Sequence, residues 1–146
     1  MTKARDTADI NSGTNTAVGD DALENNTASN NTAVGYQAGY SNTTGAALTA
    51  IGQNALRSST TASNNVAVGQ DSLYTLTTGT GNAVLGTAAA RGMTTGNYNV
   101  VVGQEALKSN TTASNNTAVG YQAGYSNTTG QYHVYIGNQA GYTNTT

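Results

Sequence analysis

The stretch Ala28–Gly45 reads ASNNTAVGYQAGYSNTTG, and it recurs unchanged further along the chain as Ala113–Gly130. At its centre lies NTAVG, Asn31–Gly35, a short run of β-forming residues that ends at a turn glycine. The offset between the two copies equals five units of a shorter repeat, which the motif glycine defines. Recurrence at a fixed period indicates a tandem repeat protein.

The glycine of the NTAVG motif returns in eight coils, with a constant period except for a first step that is one residue shorter. It falls at Gly19, Gly35, Gly52, Gly69, Gly86, Gly103, Gly120 and Gly137. We number positions within a coil from this glycine. Position −1 always holds a large aliphatic residue: Val18, Val34, Ile51, Val68, Leu85, Val102, Val119 and Ile136. Position +3 holds a small residue: Ala22, Ala38, Ala55, Ser72, Ala89, Ala106, Ala123 and Ala140. These columns predict that each coil repeats one backbone path.

The step from Gly35 to Gly52 is too short for a helical repeat, which needs about 33 residues or more. Stacked β-coils place like residues above one another at a strand spacing of roughly 4.8 Å. We therefore predict an all-β fold, a parallel β-solenoid or β-roll over residues 15–146, preceded by an N-terminal arm or lead-in at 1–14. The aliphatic residues at −1 are expected to form a buried file that includes Val34, Val68, Val102 and Val119. If Val68 is buried, Val68→Asp should destabilise the protein by roughly several kcal/mol, because it would bury an unpaired charge.

The composition excludes several classes of protein. Charged residues make up 8% of the chain, against about a quarter in ordinary globular domains, and there is no Pro, Cys, Trp or Phe. A net charge of −2 favours neither nucleic acid nor an anionic membrane as partner. The apolar runs are too short for membrane insertion. The first residues, MTKARDTADINSG, lack the apolar core of a secretory signal.

The predicted core is thin, because each coil contributes one aliphatic residue and one or two alanines. Leu23, Leu56, Leu73 and Leu107 add a second large group at +4, where three other coils have glycine. So little apolar area must offset the ordering entropy of a long chain, and such proteins commonly oligomerise. We expect a homo-oligomer, with a trimer favoured.

Runs such as NTAVGYQAGYSNTTG, Asn31–Gly45, resemble the repeats of phage tail-fibre proteins. They are also similar to the head repeats of trimeric autotransporter adhesins, which share the Ala-(Val/Ile)-Gly motif. The resemblance covers Asn15–Thr146. It implies a left-handed, trimeric β-roll with a role in attachment, located on a virion tail fibre or at the cell surface or outside the cell.

Catalytic and metal-binding constellations are not evident in the sequence. His133 is the one histidine, and it occupies the asparagine position of its motif without a second base or nucleophile nearby. Asp20, Asp21, Asp71 and Glu105 follow the motif glycine in different coils, but Ca²⁺ needs about six to eight oxygen ligands. We interpret His133 as a repeat variant and the acids as solvated surface residues. The chain is expected to be no enzyme and to hold no cofactor or metal.

Position +5 forms a column of tyrosines and cations: Tyr40, Arg57, Tyr74, Arg91, Lys108, Tyr125 and Tyr142, with Glu24 in the first coil. A column this charged is expected to face solvent. Stacking would bring tyrosines and cations together as cation–π neighbours. Two interpretations remain open: a ladder that stiffens one side of the solenoid, or a row that binds a saccharide such as a cell-surface glycan.

Position +8 is threonine in every coil, which raises ice binding as a minor alternative. The column is Thr27, Thr43, Thr60, Thr77, Thr94, Thr111, Thr128 and Thr145. Adjacent strand residues point to opposite faces, so each coil would contribute one outward threonine and the array would be a single file. Candidate N-glycosylation sequons lie at Asn25, Asn30, Asn42, Asn110, Asn115, Asn127 and Asn144.

Two functions follow from these patterns. In the first, the chain is a stalk or shaft segment of a trimeric attachment fibre. In the second, it is a subunit that polymerises end to end into an extracellular filament, glycosylated or not. The second function rests on a match between the two ends of the repeat array. The chain stops at Thr145–Thr146, and the first motif begins at Ser12–Gly13, close to the point in the repeat at which a following coil would begin. Unlike ends that stack produce a filament, with Met1–Asn11 reaching onto a neighbour.

Overall fold

The structure is a computed structural model that describes residues 14–146, and these residues form a parallel β-solenoid without α-helix. Each coil contributes one short strand. The strands are β1 (Thr16–Val18), β2 (Thr32–Val34), β3 (Thr49–Ile51), β4 (Val66–Val68), β5 (Ala83–Leu85), β6 (Val100–Val102), β7 (Thr117–Val119) and β8 (Val134–Ile136). They form one sheet in chain order. The prediction of an all-β parallel solenoid is confirmed. Of the predicted arm, only Thr14 lies within the described residues.

Equivalent positions of consecutive coils pair directly. Ala33 pairs with Ala50 and Val34 pairs with Ile51, and the shorter first step still aligns Val18 with Val34. Each position of the motif therefore becomes a row that runs along the solenoid axis. Seven steps at the strand spacing give a rise of roughly 34 Å from β1 to β8.

The prediction of a buried file at −1 is wrong. The central strand residue, at −2, points inward, as Ala33 does in β2, whereas Val34 and Val102 are exposed and Val68 and Val119 are partly exposed. Because strand residues alternate between faces, a row at −2 that faces the interior turns the rows at −3 and −1 outward. The coil is narrow, and alanine fits the inward position in most strands. An aspartate at Val68 would therefore not enter the core.

The core is filled from several rows rather than one. The small residues at +3 are buried, as predicted, and only Ala22 and Ala140 in the end coils are partly exposed. Leu48, Leu56, Leu73, Leu76, Met93 and Leu107 supply fully buried larger side chains. Glycine at +4 makes room for a neighbour: a Cβ on Gly39 would lie 2.8 Å from Cδ2 of Leu23 in the coil below. Large groups in one coil are thus accommodated by small ones in the next.

Buried asparagines at −4 connect successive coils. Oδ1 of Asn82 accepts hydrogen bonds from the backbone N–H and from Nδ2 of Asn99, both at 3.0 Å. Nδ2 of Asn82 donates to Oδ1 of Asn65 at 3.0 Å and to the carbonyl of Gly96 at 2.9 Å. A buried amide costs free energy unless it is hydrogen-bonded, and here its groups find partners. The asparagine row is therefore part of the interior, a role that its turn propensity did not predict.

Candidate functional site

The side chains that could bind a metal or act in catalysis do not cluster in the described part of the chain. Within residues 14–146 there is no group of three or more His, Cys, Asp or Glu side chains that could hold a metal. His133 takes the place of the −4 asparagine, its backbone N–H donates to Oδ1 of Asn116 at 2.9 Å, and its ring centroid lies 5.4 Å from that of Tyr135. No helix in the described part of the chain is long and apolar enough to cross a membrane.

The acids beside the motif glycine bind side chains of nearby rows. Asp71 accepts a hydrogen bond from Asn54 at 3.0 Å and lies 3.9 Å from Nε of Arg91. Oδ2 of Asp21 accepts from Nε2 of Gln37 at 3.3 Å, and Asp20 is exposed. These contacts are the surface interactions expected of solvated carboxylates.

Glu105 forms an ion pair with Nζ of Lys108 at 2.7 Å. The hydrogen bond from Lys108 lowers the pKa of Glu105, and a second bond from Nε2 of Gln122, also 2.7 Å, lowers this pKa further. The same contact raises the pKa of Lys108. Both groups are exposed enough for water and salt to screen the pair, so its contribution to stability is small.

The column at +5 forms two stretches of stacked contacts, Tyr40 to Arg91 and Lys108 to Tyr142, which we together call the cation–aromatic row: Tyr40, Arg57, Tyr74, Arg91, Lys108, Tyr125 and Tyr142. The guanidinium of Arg57 lies 5.6 Å from the ring centroid of Tyr40 and 5.7 Å from that of Tyr74. Arg91 lies 5.0 Å from the Tyr74 ring. Nζ of Lys108 lies 5.6 Å from the Tyr125 ring, which stacks on Tyr142 at 4.9 Å.

These contacts flank the inner rings of the row, Tyr74 and Tyr125, on both sides. Tyr74 lies between the cations of the coils below and above it, and Tyr125 lies between Lys108 and Tyr142. Arg57 is further held by a 2.8 Å hydrogen bond from its Nε to Oε1 of Gln37. A saccharide would have to displace these neighbours before it could stack. The geometry therefore favours the stiffening ladder over the saccharide-binding row.

The threonines at +8 use their hydroxyl groups within the solenoid. Oγ1 of Thr43 donates to the carbonyl of Thr60 at 2.9 Å, and the same bond recurs from Thr94 to Thr111 and from Thr128 to Thr145, at 3.0 Å each. The row therefore ties each coil to the next, and these hydroxyl protons are directed along the axis. This arrangement gives no support to ice binding by the row.

The sequons divide into two groups. Asn42, Asn110 and Asn127 are buried, and the Nδ2 of each, the atom that would carry a glycan, donates to a backbone carbonyl. Glycosylation at these three positions is incompatible with the packing. Asn25, Asn30 and Asn115 are exposed. Asn144 is partly exposed, and its Nδ2 donates to the hydroxyl of Tyr135 at 2.7 Å. These four remain predicted acceptor positions.

The outward residues of the eight strands form an uncharged surface, which we call the strand face; its −1 row is aliphatic throughout, and its −3 row mixes threonine with aliphatic residues. Its −1 row is Val18, Val34, Ile51, Val68, Leu85, Val102, Val119 and Ile136. Its −3 row is Thr16, Thr32, Thr49, Val66, Ala83, Val100, Thr117 and Val134. Neither row contains a charged residue, and the most exposed aliphatic members are 36–68% accessible.

Sequence reasoning missed the strand face because it placed the −1 row inside. A signal was present in the strands Val66–Val68 and Val100–Val102, which have large aliphatic residues at both −3 and −1. Because these two positions share a face, they indicate a second apolar surface beside the alanine-lined interior.

The fold and its surface rows define a β-solenoid repeat protein. No family model matches the chain, and comparison with curated proteins and with solved structures gives no match. The resemblance to tail-fibre and adhesin-head repeats therefore stays a prediction.

Proposed function

We propose that this chain is a structural segment of an attachment fibre or stalk, on a virion or outside the cell, in which several copies associate side by side through their strand faces. The observation that carries this proposal is the uncharged strand face, whose −1 row is aliphatic over all eight strands of an otherwise polar chain. Large contiguous apolar patches on soluble proteins mark interaction sites. A face that extends over all eight strands fits a partner that is equally long.

The occupant of the strand face is a second copy of the chain. The charged residues of the described part lie on other rows: Asp20, Asp21, Glu24, Arg57, Asp71, Arg91, Glu105 and Lys108. A partner must therefore offer an apolar, uncharged surface, since an unpaired charge would be costly to bury. Another copy presents such a surface at the same spacing of roughly 4.8 Å. The number of copies, three, rests on the resemblance of the repeats to trimeric fibres.

Stiffness is the second property that suits a stalk. Backbone hydrogen bonds, the asparagine row, the threonine hydroxyls and the cation–aromatic row each connect one coil to the next. The stability of a solenoid is approximately a sum of such nearest-neighbour terms, so ladders on several sides resist bending. Repeats that add length with little change in cross-section are appropriate to a spacer.

Sedimentation velocity and native mass spectrometry of the intact protein, with electron microscopy of the same sample, test the proposal. We expect a discrete species with the mass of three chains and an elongated shape. A monomer at all concentrations would contradict it, and ice shaping by such a monomer would assign the strand face to ice instead. Continuous filaments would favour end-to-end polymerisation over a fibre segment of fixed length.

A further inference from the structure

Two tyrosines occupy a corner of the coil where a large side chain is unexpected. Position −5 has a left-handed backbone, with φ of 56° at Tyr98 and 63° at Tyr132. Other coils place Asn30, Asn64 and Gly81 there. Asparagine and glycine tolerate this conformation, whereas bulky residues adopt it rarely. Tyr98 is 63% exposed and Tyr132 is 77% exposed, so burial does not offset the strain. Other coils share this backbone conformation at −5, so what distinguishes the two tyrosines is the exposure of their rings.

The two tyrosines are held in equivalent positions two coils apart. The backbone N–H of Tyr98 donates to the carbonyl of Thr80 at 3.0 Å, and that of Tyr132 donates to Ser114 at 3.4 Å. Each bond reaches the −6 position of the coil below, so both residues belong to one stacked row. Their separation is therefore two strand spacings, about 9.6 Å along the axis.

The row that carries these rings is uncharged. Gly81 lies beneath Tyr98, and a Cβ at Gly81 would be 2.7 Å from Cδ1 of that ring. Asn115 lies between the tyrosines in the same row, is exposed, and is fixed by a 3.0 Å hydrogen bond from its N–H to the carbonyl of Asn97. Its amide offers one donor and one acceptor group to a ligand. None of the −5 residues carries a charge.

We propose that Tyr98, Asn115 and Tyr132 form a platform for an extended, uncharged polysaccharide of β-1,4-linked pyranoses. The C–H face of a pyranose is apolar and stacks on an aromatic ring, while the tyrosine hydroxyl remains wet. An extended β-1,4-linked chain presents the same sugar face at every second residue. The length of that disaccharide repeat is close to the separation of the two rings. The Asn115 amide then meets the hydroxyl or acetamido groups of the sugar between them.

A sugar can stack only on an exposed ring, and the platform differs from the cation–aromatic row in this respect. Each ring of that row contacts a cation or another ring, and the most exposed of them, Tyr142, is 36% exposed, whereas Tyr98 and Tyr132 are 63% and 77% exposed. The platform uses the −5 row, outside the −3 and −1 rows of the strand face. Saccharide binding and self-association are therefore separable, and each has its own measurement.

Calorimetric titration of the unglycosylated, intact protein with cellohexaose and with chitohexaose tests the platform. The two oligosaccharides distinguish a glucan from an N-acetylglucosamine polymer. We expect one of them to bind, and its disaccharide to bind much more weakly because it cannot reach both rings. Tyr98→Ala and Tyr132→Ala should each weaken binding by several-fold, up to about tenfold, which corresponds to one stacking contact.

Tyr36→Ala and Tyr121→Ala are the matched controls, because these tyrosines at +1 are 47% and 45% exposed but lie five coils apart. They should bind as the wild type does. Failure of both hexasaccharides to bind, or equal binding of maltohexaose, would overturn the proposal. So would a loss of assembly mass in Tyr98→Ala with unchanged saccharide binding, because the ring would then belong to the contact between copies.

Discussion

Val101 and Val102 are neighbours in β6, yet Val101 is completely buried and Val102 is 37% exposed. The two side chains are identical, so the difference comes from the alternation of the strand alone. The interior accepts one side-chain row from the sheet, and the outside displays two. The aliphatic residue that marks each repeat thus lies on the surface of the chain, where it is available to a partner.

The motif glycine is predicted to be indispensable where another coil covers it. Gly69 has φ of +133°, and a Cβ there would be 2.5 Å from the carbonyl oxygen of Gly86. Gly137 has φ of +119° but nothing within 4 Å of a Cβ. We expect Gly69→Ala to lower the free energy of unfolding by about 2 kcal/mol more than Gly137→Ala, because only the first adds a clash to the backbone strain. Equal losses in denaturant unfolding followed by circular dichroism would contradict this account of the stacking.

Arg57 is predicted to stabilise the solenoid through the two rings that flank it. Arg57→Ala removes both cation–π contacts and the hydrogen bond to Gln37, and should cost about 1–2 kcal/mol. Arg91→Ala, which loses one ring contact at an exposed site, should cost less. Thermal unfolding of the two variants measures the difference. An unchanged melting temperature for Arg57→Ala, together with lost oligosaccharide binding, would favour the saccharide-binding row instead.

Tyr135 is predicted to make stability depend on alkaline pH. Burial raises the pKa of Tyr135, and the hydrogen bond from Asn144 opposes this only in part. The folded state therefore favours the neutral phenol. Its contribution is fully present below the ordinary tyrosine pKa of about 10 and is lost as the pH rises above 10 towards the raised folded value.

Melting temperatures between pH 8 and 11 test this prediction. The decline above pH 10 should be smaller in Tyr135→Phe than in the wild type. Tyr132→Phe, which changes an exposed ring, should retain the wild-type decline. Identical pH profiles for both variants would contradict the assignment to Tyr135.

The repeat period predicted much of this architecture because identical coils satisfy one another's backbone hydrogen bonds only when they stack in register. The same reasoning placed Tyr40 beside Arg57, since charged residues stay outside and stacking makes neighbours of equivalent positions. The direction of Val34 could not be obtained in this way. Ala33 and Val34 are both apolar, and the smaller residue is not always the inward one, since Val84 lies inside and Ala83 outside. The path of the coil, which a sequence does not display, decides which row faces the interior.

The asparagine row shows a second limit of sequence reasoning. Asn82 lies in a motif that resembles a turn, and its propensity alone predicts an exposed position. Its burial depends on Asn65 below and Asn99 above, which satisfy its amide along the axis. Such a row is favourable only once the stacking exists, so no single coil reveals it. The exposed pair Tyr98 and Tyr132 escaped notice for a related reason, because their separation has meaning only in the stack.

The central claim is that the strand face joins copies of the chain, and one pair of substitutions in β6 tests it most directly. The molar mass of Val101→Asp and Val102→Asp is measured by sedimentation equilibrium, with circular dichroism as the check on folding. Val101→Asp should lose β structure, because it places an unpaired charge in the core. Such a change costs roughly several kcal/mol. Val102→Asp should keep the β spectrum but sediment as a single chain, whereas the wild type sediments as a trimer. A Val102→Asp protein with the wild-type mass, or a wild type that is itself a monomer, would contradict the claim.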